Sequence, residues 1–398
     1  MSYKPINDYG IIGNMLSAAL VGKDGSIDWC CLPRFDSPSV FAVILDDEKG
    51  GKFQIRPRLP FETTQSYIRD TNVLHTTFKT DTATVTVTDF MPCYQTSRGG
   101  LTQYPEIHRL VDCTRGKLVM VAIFEPKLDY ARDDTSLSMS QGSVIARSKK
   151  EVMVLSSSIP LTTHKNTAVS RFTLKLGEKA GFILRYGSDR PLIPVIDNSL
   201  NKLEKTTNYW TQQVQDVELI GPWREHIVRS YLVLHLMVYS PSGAIIAAPT
   251  TSLPEEIGGE RNWDYRYAWL RDASLTINAF SLLGHKEEAI GFMNWLLNVC
   301  GKCGSKAQIL YDIDSNDPLD EHILDHLRGY RNSKPVRIGN NAYRQLQLDV
   351  FGEVLEAAHN YLEIGVYIGH RDWELLESFV NTACELWQQP DSGIWEVR

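Results

Sequence analysis

Near residue 200 the hydrophobic pattern of the chain changes its period, which divides it into a strand-rich part and a helical part. Upstream the period is two. The stretch TATVTVTDF at 82–90 alternates threonine with apolar side chains, and SAALVGKDGSIDWCCL places two β-rich runs around Lys23-Asp24-Gly25, a hairpin signal. KLVMVAIFEPKLDYA, GSVIARSKKEVMVLSSS and AVSRFTLKLGEKAGFILRYG continue the pattern, so residues 1–197 are expected to form an antiparallel sandwich. Residues 198–220 read as a polar linker helix starting at an Asn198 cap. From 221 to 398 the pattern is helical: PWREHIVRSYLVLHLMVYS opens with Pro222 near its first turn, and further helices are expected over 271–283, 286–300, 341–363 and 371–388. The long irregular stretches between them, 240–268 and 302–340, are of the kind that carries function.

Charge narrows the partners. With 48 acidic and 41 basic residues the net charge is −7, without the Lys/Arg clusters that nucleic acid phosphates require, so a neutral, sugar-like ligand is expected and nucleic acid is not. The opening MSYKPINDYGIIGN has no signal-peptide pattern and no stretch reaches the length of a membrane span, so no membrane association and a cytoplasmic location are expected. Seven cysteines suit a reducing compartment. Cys300 and Cys303 lack a second ligand pair. The acidic loop DIDSNDPLDEHI has Asp317 where a calcium loop needs Gly and Ile323 where it needs Glu, and His322 and His326, four apart on an expected helix face, lack a third ligand. No metal or cofactor is expected, and nothing in the sequence speaks to oligomeric state.

The densest chemistry lies in GGERNWDYRYAWLRDASLTINAF, where Trp263, Tyr265, Tyr267, Trp269 and Phe280 are mixed with Arg261, Asp264, Arg266, Arg271 and Asp272. A sugar packs its C–H faces on aromatic rings while its hydroxyls take charged or amide partners. Arg271 and Asp272 sit at a helix start, where they read either as a hydroxyl-binding donor and acceptor or as a cap and a surface ion pair. Glu396 beside Trp395 is either a carboxyl whose pKa is raised by desolvation, fit for a general acid, or an ordinary glutamate. In LPRFDSPSVF, Arg34 and Phe35 either contact substrate or, with Phe41, anchor the loop.

RNWDYRYAWLRDAS resembles the signature loop of glycoside hydrolase family 15, the glucoamylase, glucodextranase and α,α-trehalase family, and GIWEVR resembles the segment holding that family's general acid. GSIDWCCLPRFDSPSVFAVILD at 25–46, GAIIAAPTTSLPE at 243–255 and GYRNSKPVRIGNNAYRQLQLDVFGEVL at 329–355 agree, in the same order along the chain. The resemblance is to the intracellular, prokaryotic-type branch. It implies an N-terminal antiparallel super-β-sandwich, a linker helix and an (α/α)6 barrel, of whose twelve helices five are expected within this sequence. It places Arg271 and Asp272 on the hydroxyls of the terminal glucose, Tyr265 and Trp269 against its ring, Trp395 in the same pocket and Glu396 on the glycosidic oxygen as proton donor. Val397 departs from the second acidic residue that fungal glucoamylases carry there, so second-subsite preference is not carried over.

The implied reaction is exo-acting, inverting hydrolysis of trehalose or of α-glucan ends, releasing β-glucose, with an acid and a base about 6.5 to 9.5 Å apart. The family's base comes late in the barrel, so the expectation is that the sequence stops before it and that this polypeptide alone is inactive. Asp264, Asp312, Asp314, Glu321 and Asp391 match no base position in the family. Two other readings stand beside this one: a carbohydrate-binding homologue without catalysis, and a disaccharide phosphorylase of related architecture.

Overall fold

The computed structural model describes residues 3–215, 221–303, 308–314, 319–363, 365–394 and 396, leaving aside the side chains of 302 and 303. They form two compact units, the first running to residue 215 and taking in 256–260 and 325–334, the second comprising the rest.

The first unit is a sandwich of two eight-stranded antiparallel sheets. One runs, in spatial order, through Tyr9–Gly13, Ala18–Gly22, Ser26–Cys31, Lys52–Pro57, Lys117–Glu125, Thr167–Lys175 and Thr162–His164, with Ser39–Phe41 paired to Ser26–Cys31. The other runs through Ser136–Ser140, Ser143–Arg147, Val152–Ser157, Lys179–Tyr186, Glu106–Arg115, Thr84–Phe90, Leu74–Lys79 and Glu62–Tyr67. The expected hairpin is present, since Ala19 to Val21 pair with Ile27 to Cys30 around Gly25. Gly25 has φ +74°, and a Cβ there would lie 2.0 Å from the Ile55 carbonyl oxygen, so the turn excludes any other residue. In Thr84–Phe90 Val85 and Val87 are buried while Thr84 and Thr86 are partly exposed, as their alternation requires.

One apolar cluster draws on both sheets, and Phe53 of one meets Phe182 of the other edge to face, centroids 6.1 Å apart. Arg109 crosses this interior fully buried: it pairs with Asp89 at 2.7 and 3.1 Å and donates to the carbonyls of Phe53 and Gly25. Every one of those acceptors is needed, because a buried guanidinium is tolerated only when paired and hydrogen-bonded. Arg34 pairs with Asp36, and Phe35 and Phe41 are buried, which favours the anchoring account of that loop.

Helix α1 (Val195–Gln213) belongs to this unit and starts three residues before the expected Asn198 cap. Pro194 begins it instead, its fixed φ of −70° suiting a helix start, while Asn198 lies in the first turn and donates to the Pro194 carbonyl at 2.7 Å. A buried polar cluster ties α1 to the sheet: Ser199 hydrogen-bonds His108 at 2.8 Å, His108 meets Glu106 at 3.1 Å, and Lys202 and Arg185 both pair with Glu106.

The segments 256–260 and 325–334 interrupt the contiguous 221–398 domain expected from the sequence. Arg328 pairs with Asp46 and Asp47, Lys49 donates to the His326 carbonyl, and Tyr330 donates to the Lys4 carbonyl. His322 and His326 share no helix face: His322 lies in a short strand opposite Ile338, and the His326 ring is 2.8 Å from the Tyr130 carbonyl oxygen.

The second unit holds α2 (Arg224–Leu236), α3 (Leu270–Leu282), α4 (Lys286–Cys303), α5 (Asp349–Glu363) and α6 (His370–Leu386), five helices among the described residues. Helix α2 is shorter than expected because Val238–Tyr239 leave it to pair with Ala244–Ile245. The turn between them needs Gly243, φ +87°, where a Cβ would stand 2.4 Å from the Gly291 carbonyl oxygen. The helix expected from 341 also divides. Residues Asn341–Arg344 make one 3-10 turn capped by Asn340, and the chain is extended at Gln345 before α5 begins at Asp349. Among the described residues no helix is long and apolar enough to cross a membrane.

The Glu106 cluster sets the acid stability of the sandwich. Burial alone would raise the Glu106 pKa, but the His108 hydrogen bond and the Lys202 ammonium hold it down to about 2 from an ordinary 4.5. Burial keeps His108 below its ordinary value and hence neutral near pH 7. A depressed carboxylate stabilises the fold fully above 4.5 and loses that contribution as pH falls towards 2. Glu106→Gln is expected to cost about 1–3 kcal/mol at pH 7 by leaving the partly buried Lys202 and Arg185 without their carboxylate, and to flatten the dependence of stability on pH below 4.5. Urea unfolding at pH 7 and pH 3 measures both.

Candidate active site

Residues 262–268, part of the stretch 240–268 expected to be irregular, run strand-like beside 247–252, with Asp264 bridged to Thr251. Ser252, Ala248 and Ala247 donate their N–H groups to the carbonyls of Trp263, Tyr265 and Tyr267 at 2.8, 2.9 and 3.0 Å. Extended backbone sends alternate side chains to opposite sides. Asn262, Asp264, Arg266 and Ala268 are all fully buried, whereas Trp263, Tyr265 and Trp269 line a cleft of about 420 Å³. Tyr267 shares their parity but packs inward, its hydroxyl accepting from Gly339 N at 3.1 Å.

The buried side is held by one ion pair. Asp264 takes the Arg266 guanidinium at 2.8 and 2.6 Å, the Arg266 N–H at 3.2 Å and the Gly339 N–H at 3.2 Å. Asp264 therefore serves the loop and does not face the cleft. Glu321 is likewise bound to Arg337 at 2.8 Å.

Ala268–Trp269 pairs with Leu310–Tyr311 and leads into α3, whose first turn carries Arg271 and Asp272. They pair at 3.3 Å and both line the cleft, and the helix start has no side-chain cap hydrogen bond, so of the cap and ion-pair reading only the ion pair is present. Arg271 also reaches Gln347 at 3.1 Å and Asp349 at 3.4 Å. The break before α5 makes this possible: residues 345–348 lie outside both helices and deliver the buried Gln347 and then Asp349 to the guanidinium.

Glu396 completes the cleft, with its Oε1 accepting from the Trp269 indole N–H at 2.7 Å. Its segment is docked at two points: Asp391 accepts from Leu348 N and Ser392 N donates to the Leu346 carbonyl, both at 3.0 Å. Glu396 itself has φ +52° and closes a turn onto Gly393. Burial raises its pKa above the usual glutamate value; the Trp269 N–H, Arg271 and Gln347 oppose this and Asp272 adds to it. Asp272 is also raised, by burial first, with Arg271 opposing. Tyr265, its ring 5.5 Å from that of Trp269 at a tilt of 41°, is pushed up to about 12 by burial and by Glu255 and Glu396. The cleft thus offers aromatic faces, a fixed cation, two carboxyls with a raised pKa, and an indole N–H that donates to one of them, Glu396.

Of the residues singled out from the sequence, Tyr265, Trp269, Arg271, Asp272 and Glu396 share this cleft; Trp395 and Val397 lie outside the described residues, as does the side chain of Cys303. Glu255, Arg261, Trp263 and Ile394 line it as well, and Gln347 and Asp349 brace it from behind. The period-two placement of Trp263, Tyr265, Tyr267 and Trp269 was a visible strand signal in the supposed loop. Nothing local marks Gln347 or Asp349. Among the described residues no group of three or more His, Cys, Asp or Glu is placed to hold a metal ion.

Residues 221–398 match the family model for glycosyl hydrolases family 15, and residues 1–210 match that for the trehalase-like N-terminal region. A trehalase of Thermoplasma volcanium is 36% identical over 402 residues, covering 100% of this chain and 63% of that protein. A trehalase of Thermoplasma acidophilum is 37% identical over 382 residues, covering 95% and 65%, and one of Mycolicibacterium smegmatis is 34% identical over 421 residues, covering 100% and 63%. The chain thus spans somewhat under two thirds of the length of these relatives.

The extended segment depends on its ion pair, so Arg266→Met, which strands Asp264 in the interior, is expected to destabilise the helical unit by about 3–5 kcal/mol. Adding Asp264→Leu to that variant should restore part of the loss. Chemical denaturation of the two variants and the parent measures the difference.

Proposed function

The chain belongs to glycosyl hydrolases family 15, with a trehalase-like N-terminal region, and on that premise we propose that it serves the hydrolysis of trehalose by an inverting, exo-acting mechanism that releases β-glucose. The observation that carries this is the setting of Glu396: a carboxyl with raised pKa, held by the Trp269 indole, in one cleft with Arg271 and Asp272.

The terminal glucose packs its C–H face against Trp269 and Tyr265. Arg271, already fixed by Gln347 and Asp349, donates to one hydroxyl, and Asp272 accepts from its neighbour. Protonated Glu396 gives its proton to the glycosidic oxygen as the bond to the anomeric carbon breaks, and the leaving sugar departs with that proton. Water then attacks the opposite face of the oxocarbenium-like centre, inverting it and losing its proton to a base that the family pattern places later in the barrel than Glu396. The raised pKa keeps Glu396 in its acid form at pH values where an ordinary glutamate is ionised, so activity falls on the alkaline side as that proton is lost. Trehalose is the substrate chosen because full-span relatives at 36% and 34% identity are trehalases.

In a protein of the relatives' full length, a proton NMR time course on trehalose is expected to show equal initial amounts of β-glucose, from the attacked residue, and α-glucose, from the leaving one, and Glu396→Gln to lower kcat by about 10²–10⁴ with little change in KM. Initial release of α-glucose from both halves, or an unimpaired Glu396→Gln variant, would contradict the mechanism.

A further inference from the structure

The cleft has two ends of different character. At the inner end Trp269 is 2% exposed and Gln347 1%, and Arg271 is gripped by three acceptors. At the outer end Arg261 and Glu255 form an ion pair at 3.0 Å with side chains 58% and 43% exposed. Beside them Trp263 carries the Arg337 guanidinium 4.4 Å from its ring centroid. Arg337 is itself immobilised by Glu321 at 2.8 Å and by the Asn262 carbonyl at 3.3 Å. The indole is therefore a braced surface.

We propose that Glu255, Arg261 and Trp263 form the seat of the leaving sugar, and that the group recognised there is a neutral hexose with free adjacent hydroxyls. This rests on the reading of the inner end as the glucose pocket with Glu396 as acid. An ion pair this exposed adds little to stability, so stability gives no sufficient reason for its place on the rim. Its geometry does suit a ligand: a guanidinium donor and a carboxylate acceptor 3.0 Å apart match two neighbouring hydroxyls, one accepting and one donating. The braced indole supplies the apolar face that a pyranose ring needs. Because the pair is neutral overall, it gives no advantage to a phosphorylated sugar. An aryl or alkyl leaving group would engage the indole alone. The acceptor sugar of a disaccharide engages all three residues, which makes the rim the element that separates disaccharides from simpler α-glucosides.

Tryptophan fluorescence, with Trp263 and Trp269 both in the cleft, follows titrations of the full chain with glucose and with trehalose. Trehalose is expected to bind at least about tenfold more tightly than glucose, the effect of one charge-assisted hydrogen-bonded contact or more. Arg261→Met, and more mildly Glu255→Gln, should remove most of that advantage while leaving glucose affinity within about twofold. Equal weakening of both sugars, or unchanged trehalose binding in both variants, overturns the proposal and leaves the inner pocket standing. Absence of glucose binding by the unaltered chain overturns the reading of the inner pocket, and the proposal with it.

Discussion

The candidate site depends on the buried contact between Asp264 and Arg266. A charge in the interior loses its hydration, and the loss is offset only if every strong donor and acceptor finds a partner. Here the carboxylate takes two guanidinium bonds and two backbone N–H bonds. That pins residues 264 and 266 inward, and the pleat of an extended chain then turns 263 and 265 towards the cleft. The aromatic wall is thus a consequence of charge burial on the opposite side of the same strand.

Within the cleft, acids and bases are unequal in freedom. Arg271 is committed to Gln347, Asp349 and Asp272, so its position is fixed before any sugar arrives, and preorganisation of this kind lowers the ordering cost of binding. Glu396 and Asp272 both lose hydration, and a neighbouring carboxylate raises each further, Asp272 for Glu396 and Asp349 for Asp272. Two carboxyls in one cleft divide their work on environment. Glu396, further from Arg271's direct grip, keeps the raised pKa that suits proton donation although the indole N–H opposes it; Asp272, paired with Arg271 at the start of α3, suits acceptance from a hydroxyl.

Much of this was legible in the sequence because local patterns and global fold agree there. Alternation in 82–90 became a sandwich strand, Lys23-Asp24-Gly25 became a hairpin, and four barrel helices lie close to their periodic segments. What was not legible depended on partners distant in the chain. Asn198 looked like a helix start, yet Pro194 stiffens the backbone earlier. Residues 345–348 had helical spacing, but Gln347 and Asp349 meet Arg271 only if the helix is delayed. Arg328 attaches 325–334 to the sandwich through Asp46 and Asp47, residues more than two hundred positions away. The docking of 391–392 onto 346–348, which sets where Glu396 stands, is of the same kind.

The proposed mechanism requires that Glu396 keep its proton in this cleft where an exposed glutamate would lose it. The most direct measurement is a carbon-13 NMR titration of the Glu396 side-chain carboxyl in the unaltered chain and in Trp269→Phe. The expected midpoint lies above that of an exposed glutamate and moves higher still when the indole N–H is removed, because that hydrogen bond favours the ionised form. A midpoint at or below the ordinary glutamate value, or a downward shift in Trp269→Phe, would contradict it.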